Sequence, residues 1–345
     1  MPHANSGRRA FLKSSGAAAV GVGAGLSGCL GLGLGGGGSS TLGLAFTVPV
    51  ENLGSLLDIP EIQDQAGNLG DAYQLEVSQN SSTPDSLNQM AAGEVDMALL
   101  TTVSYASAVQ QEAVPGNISM IATDFWDAHP EHYGFTIYSK GDSDVTEVAD
   151  LEGKKLGVNS LGTGIHAVYV KRLRQADIDP ENDVQFVELP FPSFTSAIKD
   201  GRVDAGIYPA LFAVQARSEG FNPVFSSQDT WDEEYPFAYM AASNSSLDEK
   251  SDAFQAFGED YRGIVDYAFN NRDEVVSLAA EHFELPESLV DGFFLTEQDY
   301  YREDVRIDFE RLQAAMDEMA NLGFIDESFD VQQFATNEYL PQGSS

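Results

Sequence analysis

The most constraining feature of this chain is a four-residue pattern that it carries twice. Pro84, Gly93, Val95 and Asp96 recur as Pro192, Gly201, Val203 and Asp204, each pair 108 positions apart. Both copies place a proline before a helix, where its missing N–H costs nothing, and a glycine as the left-handed cap that ends it. The Asp then leads into an apolar run of strand length, 95–101 in the first copy and 203–208 in the second. Helix-stop grammar is common, so the identical spacing is what argues for duplication.

The surrounding patterns repeat as well. The first copy reads as strand 45–50, a helix start in 53–62, strand 73–78 and helix 85–92. The second reads as strand 155–159, helix 165–175, strand 184–189 and helix 194–199. This predicts an α/β fold of two βαβαβ lobes with parallel-rich sheets covered by helices. Apolar stretches in 121–138 and 237–242 fit neither copy and read as crossover strands joining the lobes. The C-terminus reads as helical over 250–269, 273–283, 307–322 and 331–339. Ile307, Leu312, Met316, Met319 and Leu322 share a helical face and are expected in a core, with these helices returning to the first lobe. The expected division is 44–138 plus 237–345 for the first lobe and 139–236 for the second.

Charge narrows the partners. Lys plus Arg number 18 against 54 Asp plus Glu, a formal charge of −36. Neutralising phosphates needs clustered cations, so nucleic acid is excluded. The acids are scattered among apolar residues rather than gathered in a tail, which argues against disorder. Such a surface suits concentrated salt, where the Debye length falls to about 3 Å near 1 M and self-repulsion is screened. A salt-adapted source is expected.

The chain contains one cysteine, Cys29, so a disulfide framework and multi-cysteine metal or iron–sulfur sites are excluded. Gly7-Arg8-Arg9-Ala10-Phe11-Leu12-Lys13 resembles a twin-arginine export signal, with Gly7 where Ser or Thr is usual. An Ala/Gly-rich stretch over 16–28 follows, too short and too weakly apolar to span a bilayer. Leu26-Ser27-Gly28-Cys29 then resembles a lipoprotein cleavage box with Cys29 as the lipidated residue. The expectation is a signal peptide over 1–28 and a flexible Gly-rich tether over 29–43. Cleavage removes three cations and no acid, taking the charge from −36 to −39.

Asp150-Leu151-Glu152-Gly153-Lys154-Lys155-Leu156-Gly157-Val158 resembles the start of the second lobe in type II periplasmic binding proteins. The similarity is closest to the group binding nitrate, taurine, alkanesulfonates and thiamine-type pyrimidines. Gly93-Glu94-Val95-Asp96 and Gly201-Arg202-Val203-Asp204 resemble that family's Gly-x-Val-Asp steps. The resemblance spans roughly 45–340 and rests on scaffold motifs. It implies a monomeric receptor on the outer face of the cell membrane, anchored through lipid on Cys29. Such a receptor delivers a small molecule to an ABC-type permease with its ATPase, closing about a hinge. A sulfonate, a taurine-like zwitterion or a pyrimidine-like solute would fit, without a cofactor. A pyrimidine-precursor-processing enzyme on the same fold and a ligand-sensor subunit are the alternatives.

In parallel sheets ligands sit beyond the carboxyl ends of the strands. That rule selects loops 50–55, 79–83 and 101–105 in the first lobe, and 159–166, 190–194 and 208–210 in the second. None contains Lys or Arg. The candidate ligand contacts are Asn52, Ser55, Thr101, Thr102, Tyr105, Ser160, Gly162, Thr163, Ser193 and Tyr208. Ser160-Leu161-Gly162-Thr163-Gly164 is the strongest stretch, with glycines for close backbone approach and hydroxyls at a helix start suited to an oxyanion. Plain N-capping by Ser160 or Thr163 is the competing explanation. Tyr105 and Tyr208 could sandwich a ligand or serve ordinary packing. Glu51 could meet an amine, although solvent exposure is the ordinary expectation for an acid in so acidic a chain.

Enzyme chemistry finds no motif. There is no Gly-x-Ser-x-Gly elbow and no Walker loop. The cysteine-rich signature that the resemblance implies for pyrimidine synthases is absent. His129-Pro130-Glu131-His132 beside Asp124 and Asp127 suggests a metal site, but Pro130 interrupts the helical spacing that two histidines need. His166 lies in the expected cleft with no acid or nucleophile fixed beside it by sequence. No metal and no catalytic residue are expected.

Overall fold

The computed structural model describes residues 39–128, 134–296 and 304–342. The first strand-helix series runs β1 (Ser40–Phe46), α1 (Pro60–Gln63), β2 (Tyr73–Gln79), α2 (Thr83–Ala92), β3 (Met97–Thr101), α3 (Thr102–Gln110) and β4 (Ile118–Asp127). The second runs β5 (Thr136–Ser139), β6 (Lys155–Val158), α4 (Gly164–Gln175), β7 (Gln185–Glu188), α5 (Phe194–Lys199), β8 (Ala205–Tyr208), α6 (Ala210–Ser218) and β9 (Asn222–Ser226). The chain closes with β10 (Tyr235–Ser243), α7 (Asn244–Glu249), α8 (Ser251–Asn270), α9 (Arg272–His282), α10 (Glu287–Asp291) and α11 (Phe309–Asn321).

The strands form two five-stranded sheets, ordered β2-β1-β3-β10-β4 and β7-β6-β8-β5-β9. β1 pairs in parallel with β2 and β3, and β6 with β7 and β8. β10 runs antiparallel to both its neighbours in the first sheet, and β5 does so in the second. The expected α/β architecture of two sheets with crossover strands and a helical C-terminus is what the chain adopts, each sheet being evenly mixed rather than parallel-rich, with two parallel and two antiparallel pairings. The passage between sheets falls between Asp127 and Thr136, so β5 belongs to the second sheet although residues 136–138 were expected in the first lobe.

The repeat now has a physical meaning. Gly93 and Gly201 are left-handed, with φ of 73° and 69°. The Asp that follows ties each sheet's central strands together. Asp96 and Gly43 exchange bonds, Asp96 N–H to the Gly43 carbonyl and Gly43 N–H to Asp96 Oδ2, both at 2.9 Å. Asp204 and Lys155 do the same, each bond 2.8 Å. The duplicated motif staples β3 to β1 in one sheet and β8 to β6 in the other.

The C-terminal helices do return to the first sheet. Asp260 on α8 accepts hydrogen bonds from the Gly67 and Asn68 amides and from the Tyr73 hydroxyl at the start of β2. Ile307, Leu312, Met316, Met319 and Leu322 are buried as expected.

Several elements differ from the sequence expectation. β1 starts at Ser40 rather than 45, within the expected tether, because β2 offers its backbone along the whole of Ser40–Phe46. α3 and α6 begin directly after strands where loops were expected. Residues 331–339 form one short 3-10 turn, Val331–Gln333, and not a longer helix. Beyond that turn the segment pairs with the outer strand β4, the Met120 N–H donating to the Phe334 carbonyl and the Thr336 N–H to the Met120 carbonyl. Covering an open edge satisfies backbone groups that a helix would leave exposed on β4. β9, which contains Pro223, sits at the edge of its sheet beside a register shift, where a residue without N–H is tolerated. Among the described residues no helix is long and apolar enough to cross a membrane.

Candidate functional site

A narrow pocket with about 40 Å³ of free space lies where the strand ends of the two sheets face each other. Thr47 and Val48 follow β1 and Thr101 ends β3; Asn159 follows β6 and Pro209 follows β8. The pocket therefore lies at the carboxyl ends of strands in both sheets. Every one of the six loops that the carboxyl-end rule selected contributes at least one lining residue.

The individual candidates divide sharply. Asn52, Thr101 and Thr163 line the pocket. Asn52 is also an organiser: its Oδ1 accepts from the Thr47 and Val48 amides at 3.2 and 2.9 Å, and its Nδ2 donates to Asp124 at 2.7 Å. Thr101 caps α3 and accepts the Gly164 N–H across the lobes at 3.0 Å. Thr163 Oγ1 donates back to the Ser160 carbonyl at 2.9 Å.

The other seven are placed elsewhere. Ser55 accepts the Val50 N–H at 2.8 Å and shapes the loop from behind. Thr102 donates to the Pro236 carbonyl at 2.7 Å. Tyr105 is buried against Phe329, with its hydroxyl on the Phe334 carbonyl. Tyr208 packs on Tyr138 and Phe194. Both tyrosines thus serve packing. Gly162 is left-handed, and its carbonyl accepts from Ser104 Oγ across the lobes at 3.4 Å. Ser193 is partly buried at the start of α5, away from the lining.

The expected oxyanion loop is already occupied by the protein itself. Leu161 N–H and Ser160 Oγ both donate to Glu188 Oε1, at 2.9 and 3.2 Å. Gly162 N–H donates to His166 Nδ1 at 3.1 Å, and Gly164 N–H is taken by Thr101. Burial holds the His166 imidazole down at about 4, so it is a neutral acceptor at pH 7, wedged between Phe186 and Phe324.

One feature of the pocket escaped the sequence reading, and a second is the reverse of the ordinary expectation for its residue. Phe125 on β4, Phe237 on β10 and Phe135 between β4 and β5 form its aromatic wall. Phe237 stacks on Phe125 at 5.3 Å and meets Phe135 at 4.6 Å. These side chains sit on the crossover strands, which had been read as connectors; a run of aromatics where two crossovers must meet was the available signal.

The second is Glu51, only 1% exposed, where a solvated acid was expected. It lines the pocket and is the one ionisable side chain among the described lining residues. Its neighbour Val50 has φ of 64°, a conformation that costs a β-branched residue of order 1–3 kcal/mol. The Ser55 and Asn52 bonds hold this strained turn, which brings Glu51 to the pocket.

Beneath the site, Asp124 receives Asn52 Nδ2 and the Gly54 N–H, while Asp127 receives Ser227 Oγ at 2.7 Å and the Phe135 N–H at 3.4 Å. Burial pushes both carboxyls up to about 7. Asp127 thereby joins the two crossover connections between the sheets, one at Phe135 and the other at Ser227. The His129–His132 motif and Cys29 lie outside the described residues. No cluster of potential metal ligands occurs among those described.

Two sheets joined by crossover strands, with a pocket walled by strand ends of both, define the periplasmic-binding-protein fold. The NMT1/THI5-like family model matches residues 73–275, more than half of the chain, and the chain belongs to that family. No curated protein sequence matches it. Solved structures of similar fold are mostly binding proteins. The ligand-binding component of an ABC-type import system from Staphylococcus aureus, with zinc bound, is 14% identical, covering 87% of this chain and 98% of that one at a TM-score of 0.70. The alkanesulfonate-binding protein SsuA from Xanthomonas axonopodis pv. citri, bound to MOPS, is 13% identical, covering 86% and 98% at 0.70. The periplasmic nitrate-binding protein NrtA from Synechocystis PCC 6803 is 14% identical, covering 87% of each chain at 0.69.

Proposed function

We propose that this chain is an exported solute-binding protein, anchored by lipid on Cys29, that delivers a small organic solute to an ABC-type importer. The observation that carries this reading is the pocket itself, whose polar rim crosses from one sheet to the other through the Gly164–Thr101 and Ser104–Gly162 bonds. A solute touching both walls favours the closed arrangement, and its release accompanies opening about the Asp127 crossover. The family and fold support binding as the activity, and the sequence around Arg8, Arg9 and Cys29 supports export and anchoring.

Small-angle scattering in high salt, with a metabolite panel, tests the closure. Compaction with one solute is expected, and mass spectrometry should recover that solute unchanged; turnover would instead indicate the enzyme alternative. Absence of compaction with every solute would remove the receptor reading. Cys29→Ser is expected to release the protein from membranes into the medium.

A further inference from the structure

We propose that His166 is a closure-sensing residue: the lobes close only around its neutral ring, so acid favours the open protein. The inference rests on the solute-binding reading above and adds what regulates that same closure.

The geometry sets the condition. His166 lies in the first turn of α4, and its ring stands nearly perpendicular to Phe186 and Phe324, with centroids 4.7 and 5.4 Å away. Phe186 is on β7 in the second sheet. Phe324 follows α11 and is held to the first lobe, its carbonyl accepting Ser107 Oγ of α3 at 3.4 Å. The aromatic seat is therefore complete only where the lobes meet. His166 Nδ1 accepts the Gly162 N–H at 3.1 Å, and the Gly162 carbonyl accepts Ser104 Oγ of the first lobe. A proton on Nδ1 turns that acceptor into a donor facing another donor. The event that charges the ring thus also disturbs the turn that bonds across the lobes.

The groups around the ring divide between the lobes. Glu188 on β7 favours a charged ring and belongs to the same lobe, so it stays beside His166 when the lobes part. α3 carries no charged residue, and Asp326 and Glu327, on the segment of Phe324, are exposed. Farther along α4, Lys171, Arg172 and Arg174 are engaged with Glu318, Gln175 and the Leu322 carbonyl. Opening removes an apolar wall and leaves the carboxylate. Burial holds the closed ring down at about 4, whereas a ring in water titrates near 6.5. Across that window the open form takes up a proton that the closed form refuses, so closure becomes less favourable as pH falls and is unaffected above about pH 7.

NMR titration of the histidine Cε1–H signals in a high-salt buffer tests the seat, with His166→Asn identifying the signal. That signal is expected to titrate below about pH 5 in the parent and at least about one pH unit higher in Gly164→Ala. The added methyl there would stand 2.6 Å from the Phe237 ring and hold the lobes apart. Scattering tests the consequence. The parent should expand between about pH 7 and about pH 5. His166→Asn keeps an amide oxygen that can accept the Gly162 N–H and should hold one radius of gyration, its thermal unfolding midpoint showing it folded. The same titration in parent and Gly164→Ala, no expansion of the parent, or expansion that persists in His166→Asn would overturn the closure-sensing role. The two levels stay separable: compaction by a metabolite at neutral pH without these acid effects would sink the sensor and keep the receptor. No compaction by any metabolite would sink the receptor reading and the sensor with it.

Discussion

Gly164 begins α4 at the place where the second lobe meets the first sheet. A Cβ there would lie 2.6 Å from the Phe237 ring and 3.1 Å from the Thr101 Cβ. Phe237 is held by its stacking on Phe125, so it has little room to yield. Gly164→Ala is therefore expected to wedge the lobes apart. Scattering should show a larger radius of gyration, and solute affinity should fall by more than about tenfold, with the fold retained because alanine suits a helix. Between the two crossover connections, Asp127 stays protonated in the folded protein up to about pH 7, whereas in the unfolded chain it ionises near the ordinary carboxylate value. Its stabilising contribution is complete below that ordinary value and is lost as pH rises through 7. Asp127→Asn keeps the side chain neutral, and its Oδ1 can still accept from Ser227 and Phe135. Thermal unfolding should show the variant more stable than the parent at pH 8, by on the order of 1–2 kcal/mol, with the gain gone at pH 4. Glu51 shows the limit of residue-level reading: composition made an exposed acid the ordinary expectation, and only the turn at Val50 takes it inside.

The twin staples separate what a motif specifies from what its surroundings add. Asp96 and Asp204 make the same backbone exchange in their two sheets, but Asp96 also accepts Ser246 Oγ at 2.6 Å and both its oxygens meet Lys250 Nζ at 2.8 Å. Asp96→Ala leaves an ammonium and a hydroxyl without their acceptor and is expected to cost about 2–3 kcal/mol in denaturant unfolding; Asp204→Ala should cost about 1 kcal/mol or less. Equal losses would contradict this account. Elements written in local signals were legible: α2, α5 and their glycine stops follow from Pro84, Gly93, Pro192 and Gly201. α3 and α6 were not, because Thr101 and Pro209 lead from strand into helix with no intervening loop composition. The extended path of Phe334–Thr336 was equally hidden, since β4 supplies the partner from more than two hundred residues earlier.

Across the whole molecule, 54 acids against 18 cations leave a surface whose repulsion acts over about 10 Å in 0.1 M salt and about 3 Å in 1 M. Raising KCl from about 0.1 to about 2 M is expected to raise the thermal unfolding midpoint on the order of 10 °C, a few kcal/mol. An unchanged midpoint would show that the charge carries no such cost. The lobes are also clasped away from the pocket, where Lys171 pairs with Glu318 and Arg174 donates to the Leu322 carbonyl at 3.0 Å, two of the chain's few cations joining α4 to the α11 end.

The amino-acid order alone determined the duplicated strand-helix grammar, the two sheets and the six loops that reach the pocket, because helix stops and apolar runs are short-range signals. Which side chains face that pocket was decided only by tertiary structure. The aromatic wall, the buried Glu51 and the occupation of the 160–164 loop by Glu188 all depend on contacts between segments far apart in sequence, or on a strained turn whose direction no local pattern records.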